Sequence, residues 1–139
     1  MRIAIIVPQY NKNIIERLIT GAKKALKDNA FPMEDVELFE VPGAFEIPYM
    51  SQKLIDAKRF DGIIALGCVI KGETDHYKAV CEGVTYGIQK VSIENRMPIM
   101  FGVLMCNSPE QAFSRSSIEN MKYNKGYECV KALLEMIKK

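Results

Sequence analysis

Short apolar runs alternate with amphipathic stretches along this chain, and that alternation leaves few folds open. The runs cover residues 2–7, 36–41, 62–70 and 98–105. The first, third and fourth are almost continuous in isoleucine, valine and leucine, the pattern of strands covered on both faces. Between them, residues 13–28 place Ile14, Ile15, Leu18, Ile19, Ala22, Ala25 and Leu26 on one face at helical spacing. Residues 47–58 carry Ile47, Met50, Leu54 and Ile55 in the same way, and residues 77–95 carry Val80, Val84, Ile88 and Val91. Gly83 and Gly87, four apart, allow close packing of that third helix. Ser108-Pro109-Glu110-Gln111 is a helix start with a serine cap, proline at the first position and glutamine at the third. A last helix spans 125–138 through Val130, Leu133, Leu134 and Ile137. The order β-α-β-α-β-α-β-α-α predicts an α/β protein: a four-stranded parallel sheet with right-handed crossovers, layered between helices.

A chain of 139 residues with no linker, repeat or low-complexity tract reads as one domain, residues 1–139. Its net charge of +2 is spread along the sequence, with no basic stripe of the kind that binds nucleic acid. The four cysteines, Cys68, Cys81, Cys106 and Cys129, show no C-x-x-C spacing and have only His76 to join them, so no metal site is expected. Three of the four lie in apolar runs, which suits reduced, buried thiols. The first apolar run reaches Pro8 too soon for a secretory signal, and the longest is about half a membrane span. A cytoplasmic protein that needs neither membrane nor nucleic acid is the expectation.

The predicted topology gathers the loops after the strands, residues 8–12, 42–46, 71–76 and 106–108, on one rim of the sheet, where such folds bind ligands. Tyr10 in the first loop is an aromatic platform or an edge seal, and Asn11 a polar contact or a helix cap. In the second, Pro42 and Gly43 set a rigid turn before Phe45 and Glu46; the glutamate either favours a helix dipole or accepts hydrogen bonds from ligand hydroxyls. The third, Lys71-Gly72-Glu73-Thr74-Asp75-His76, joins a glycine, a hydroxyl and the helix-start amides that suit an anion. It also holds the one histidine, the side chain whose ordinary pKa moves protons near neutrality. No G-x-x-x-x-G-K-[ST] and no G-x-G-x-x-G are present, which disfavours nucleoside triphosphates and dinucleotides. Arg115 and Lys125 are ordinary solvated charges unless a phosphate is bound, when a guanidinium gives a bidentate grip. Together these residues point to a small, polar, phosphorylated substrate.

Five segments in order and spacing across nearly the whole chain resemble the 6,7-dimethyl-8-ribityllumazine synthase family. They are residues 41–48 (VPGAFEIP), 65–77 (ALGCVIKGETDHY), 98–104 (PIMFGVL), 110–112 with Arg115, and 124–126 (NKG). The resemblance implies a flavodoxin-like α/β/α fold and the penultimate step of riboflavin biosynthesis. That step condenses 5-amino-6-ribitylamino-uracil with 3,4-dihydroxy-2-butanone 4-phosphate, releasing water and phosphate, with no cofactor. It makes His76 the proton-transfer group. To the ribitylaminouracil it assigns Tyr10, Asn11, Ala44, Phe45, Glu46, Cys68, Val69, Ile70, Phe101 and Lys125; to the phosphate, Gly72, Glu73, Thr74 and Arg115. Phe101, Arg115 and Lys125 would come from a neighbouring subunit, so the site would exist only in a homo-oligomer.

Two departures from the family pattern bear on assembly. The chain starts almost at its first strand, without the extra N-terminal segment many members use to contact a neighbour. From Arg115 to Asn124 it carries a longer linker than capsid-forming members, a feature of the pentameric branch, so a pentamer is expected. Two rival readings are a passive flavin- or lumazine-binding module and a related archaeal-type riboflavin synthase. His76, Arg115 and Lys125 argue against the first, and the Gly-Glu-Thr-Asp-His loop with Phe45-Glu46 against the second.

Overall fold

The structure is a computed structural model and describes residues 1–139. Four parallel strands, β1 (Ile3–Pro8), β2 (Val36–Val41), β3 (Gly62–Ile70) and β4 (Ile99–Cys106), lie in the order β2-β1-β3-β4. Five α-helices, α1 (Lys12–Asp28), α2 (Ile47–Asp56), α3 (His76–Asn95), α4 (Pro109–Ser114) and α5 (Lys125–Lys138), flank them in the predicted order. Side chains alternate along β3: Ile64, Leu66 and Cys68 pack beneath α1 and α5, whereas Ile63, Ala65 and Val69 pack beneath α2 and α3. The α1/α5 side is sealed by 19 buried residues and the α2/α3 side by 13, so the second face is the thinner one.

That thinness shows at α3 and β4. Of the 20 residues of α3, only Val84 and Ile88 are buried; the expected partners Val80 and Val91 are half-covered, and Tyr86 and Ile93 face outward. The expectation that β4 is covered on both faces holds for Val103 and Leu104 but not for Met100, Phe101 and Met105, which stay half-exposed. The reason is topological: β4 is an edge strand with no neighbour beyond it.

Local chemistry sets the helix limits. The α1 helix closes where Asn29 donates its side-chain amide to the Ala25 carbonyl at 2.7 Å and Ala30 turns left-handed. The α2 helix stops two residues short of expectation, where Lys58 adopts φ 57°. Ser108 accepts from the Gln111 amide at 3.3 Å, and Gln111 reaches back to the Asn107 amide at 2.7 Å, as the Ser-Pro-Glu-Gln start foretold.

The α1 and α5 helices cross closely. A Cβ at Gly126 would strike the Leu18 carbonyl, and one at Gly21 would strike the Asn124 side chain. Asn124 is itself buried; its amide donates to the carbonyls of Arg17 and Ser117, each at 3.0 Å, while its oxygen caps α5 at the Tyr127 amide. A bridge from Ser116 to Asn124 pinches off residues 117–123 as a loop in front of that helix.

One irregularity of the sheet governs everything above it. β1 pairs with β2 as far as Pro8↔Val41, but with β3 only from Ile3↔Gly62 to Ile6↔Ala65. β3 continues beside β4 to Ile70↔Cys106. The sheet therefore forks after Ala65, and Pro8, which has no N–H to donate, sits on the departing strand.

Candidate active site

The fork opens into a cleft of about 650 Å³. Its walls come from two of the predicted loops, through Pro8, Tyr10 and Asn11 and through Gly43 to Glu46, from the end of β3 at Cys68 to Ile70, and from His76, the last residue of the third loop, with Ala79 and Val80 after it. The fourth loop, 106–108, stays outside, because it follows the edge strand β4, on the far side of β3 from the fork.

Two aromatic rings stand over the opening. Tyr10 is 71% exposed and Phe45 57%, so both rings have a face open to a ligand. Phe45 is nonetheless placed from below, since its ring lies against Gly83 of α3, where any Cβ would collide with it. Gly87, one turn on, gives the same room to Pro48, so the predicted glycine pair is what lets α3 approach the second loop. Gly43 has a different task. Its missing Cβ would lie 3.2 Å from the Glu46 Oε1 and 3.7 Å from the Tyr10 ring, so the carboxylate and the ring edge face one another over bare backbone. Glu46 occupies the cap position of α2 without capping it, which leaves its oxygens for the cleft.

Asn11 settles one of the alternatives. Its side chain caps nothing; Nδ2 donates to the Cys68 carbonyl at 2.8 Å, across the mouth of the fork. Cys68 is buried, and burial pushes its thiol up to about 12, with Cys106 close by adding to the rise. At that value it holds no useful thiolate near neutrality, so it serves as wall and not as nucleophile.

His76 is the first residue of α3, exposed, with its imidazole in the cleft wall. Its own N–H donates to the Thr74 hydroxyl at 3.3 Å, which ties the preceding loop to the helix start. Gly72, Glu73 and Thr74 are exposed on the rim beside the cleft, outside its walls. Nothing lies within 4 Å of where a Cβ at Gly72 would stand, so that glycine leaves open space over the backbone.

Three predicted residues are not brought to this cleft by their own chain. Phe101 pairs with Ala65, three residues short of Cys68 and so about 10 Å down the sheet. Arg115 ends α4 next to Cys106, where its charge counters the upward push of burial on that thiol. Lys125 opens α5, bonds to the Arg115 carbonyl through its backbone and pairs with Glu128 at 3.3 Å. Consequently no lysine or arginine lines the cleft. Sequence reasoning missed Pro8, Gly43, Ala79 and Val80 in its walls. The last two were findable, because they lie three and four residues after His76 and so share its helical face. No group of three histidine, cysteine or acidic side chains gathers to hold a metal, and no helix is long and apolar enough to cross a membrane.

The comparisons agree with the geometry. The family model of 6,7-dimethyl-8-ribityllumazine synthase matches residues 1–139. A protein of that name from Pediococcus pentosaceus is 47% identical over 137 residues, covering 99% of this chain and 86% of the relative. Its counterpart from Lactiplantibacillus plantarum is 44% identical, covering 99% and 85%, and that of Limosilactobacillus reuteri is 41% identical, covering 97% and 86%. With the forked sheet and the loops that converge on it, these matches establish that the chain belongs to the 6,7-dimethyl-8-ribityllumazine synthase family.

Proposed function

We infer that the chain, acting as one domain, carries out its family's reaction in this cleft. That reaction joins 5-amino-6-ribitylamino-uracil and 3,4-dihydroxy-2-butanone 4-phosphate into 6,7-dimethyl-8-ribityllumazine. The observation that carries the reading is convergence: an aromatic platform, a free carboxylate, an open strand edge and the one histidine meet in a single space. The pyrimidine ring stacks on Tyr10 and Phe45, and the backbone of Val69 and Ile70 reads its edge. Glu46, which makes no cap, accepts from ribityl hydroxyls.

The chemistry that remains is proton traffic. The pyrimidine amine attacks the ketone carbonyl, and water leaves as the imine forms. Phosphate departs as a proton is lost from the adjacent carbon, and a second amine attack closes the ring with loss of another water. His76 is the group in reach that accepts and returns protons in these steps. The leaving phosphate lies at the Gly72–Thr74 loop and the start of α3, where backbone amides favour an anion.

A dianionic leaving group also needs cations, and the cleft of a single chain has none. We therefore assign Arg115, Lys125 and Phe101 to the cleft of the adjacent subunit. The outward-facing Tyr86 and Ile93 of α3 and the half-exposed Phe101 and Met105 of β4 support a neighbour on that side. The linker from Arg115 to Asn124, longer than in capsid-forming members, supports a homopentamer, because a last helix displaced by it would block the packing of pentamers into a shell. The four unpaired thiols suit a reducing, cytoplasmic setting. Mixing the two substrates with the protein and following lumazine fluorescence tests the activity; absence of product overturns it. Sedimentation tests the assembly, and a particle of capsid size overturns the pentamer.

A further inference from the structure

Four non-glycine residues have a left-handed backbone: Asn11, Ala30, Lys58 and Arg96. Ala30, Lys58 and Arg96 each close the end of a helix, where that conformation is common. Asn11 alone stands before a helix, at φ 56° and ψ 49°. The residue in that position ordinarily has extended backbone and turns its side chain onto the first helical amides. Asn11 does neither. Its carbonyl alone starts the helix, accepting from the amides of Ile14 and Ile15 at 3.0 Å each. Its amide crosses the fork to the Cys68 carbonyl at 2.8 Å.

That bond falls where the sheet has lost its own. The β1–β3 ladder ends at Ala65, so the Cys68 carbonyl lies beyond the last pairing on that side. Alternate residues of a strand turn their polar groups the same way, which leaves Ile70 facing the same gap. From these observations we propose that Asn11 is a positioning residue for the pyrimidine. Its amide takes up the Cys68 carbonyl, leaves the polar groups of Ile70 for the ring, and holds the adjacent Tyr10 in the same cleft wall. The proposal rests on the reading of this cleft as the ribitylaminouracil site, and it moves Asn11 from substrate contact to support.

The test compares Asn11→Gly, which tolerates the left-handed backbone but lacks the amide, with Asn11→Asp, which sets a carboxylate against the Cys68 carbonyl. Both should raise KM for the ribitylaminouracil about tenfold, the worth of roughly one ordered hydrogen bond. Asn11→Asp should show the larger rise, with KM for the butanone phosphate and kcat within about twofold. Binding of 5,6-diaminouracil, which has the ring but no ribityl chain, should weaken in the same proportion. Unchanged KM values overturn the proposal. So does a raised KM with undiminished diaminouracil binding, because Asn11 would then touch the ribityl chain itself. A parallel fall in both substrates and in the thermal midpoint also overturns it, leaving a structural role only. If the unmodified protein makes no lumazine, the activity is refuted instead, and diaminouracil binding to the three proteins still decides the role of Asn11.

Discussion

At His76 the backbone is committed and the ring is not. Its N–H is held by Thr74, so helix and loop fix where the imidazole stands, while the imidazole itself faces the cleft. Replacing it with alanine should lower kcat by roughly a hundred- to ten-thousand-fold, the span of a general acid–base group, as read from the rate of lumazine formation. Turnover equal to the unmodified protein would remove His76 from the mechanism. Arg115→Ala should instead raise KM for the butanone phosphate by roughly tenfold or more while sparing the uracil; an effect confined to the uracil would refute its assignment to the phosphate. Cys68, held near 12 by burial, should resist alkylation at pH 8 in the folded protein and react once the chain is denatured. Rapid labelling of the native protein at that site would contradict the buried, protonated thiol.

The elements show why some motifs are informative for reasons unrelated to chemistry. Asn124-Lys125-Gly126 resembles a site motif, yet two of its three residues are packing devices: Asn124 clamps α1 and caps α5, and Gly126 admits the Leu18 carbonyl. Asn124→Ala would remove the donor shared by the Arg17 and Ser117 carbonyls and leave the Tyr127 amide without its cap. The cost should be about 3 kcal/mol, seen as a lower denaturant midpoint at fixed protein concentration. A shift below about 0.5 kcal/mol would show that water replaces the clamp.

The strand and helix order was legible because apolar period and capping chemistry are local. Residues 36–41 and 62–70 became strands as read, and the Ser108 start behaved as its sequence implies. The fork was not legible, because where a ladder ends depends on the relative lengths of strands far apart in sequence. The diversion of Asn11 was equally hidden, since a capping residue and a cross-strand donor look alike in one dimension.

At the scale of the molecule, the cleft is complete in shape and incomplete in charge. Glu46, His76 and the aromatic pair converge within one chain, whereas Arg115 and Lys125 lie at the start of α5 beside α1, outside the cleft. Assayed with butanone phosphate well below the KM of the Arg115→Ala chains, His76→Ala chains and Arg115→Ala chains should each have little activity alone. Co-assembled in equal amounts in a head-to-tail ring, they should recover roughly a quarter of full activity, the chance that an intact histidine meets an intact arginine. No recovery would mean that each chain builds its site alone.

The fork after Ala65 has a further consequence. Most sheets hide their unpaired edges at the rim, where charged or twisted strands keep other chains from adding on. Here an unpaired edge lies in the interior of the sheet: β3 runs on from Leu66 to Ile70 without β1 beside it, and Asn11 already takes the Cys68 carbonyl. The backbone of Ile70 that stays open there offers a donor and an acceptor along one edge, which a flat heterocycle can match. The width of that opening follows from how far β3 outruns its pairing with β1, so extending the β1 pairing by two residues should narrow the cleft without replacing any side chain in its wall.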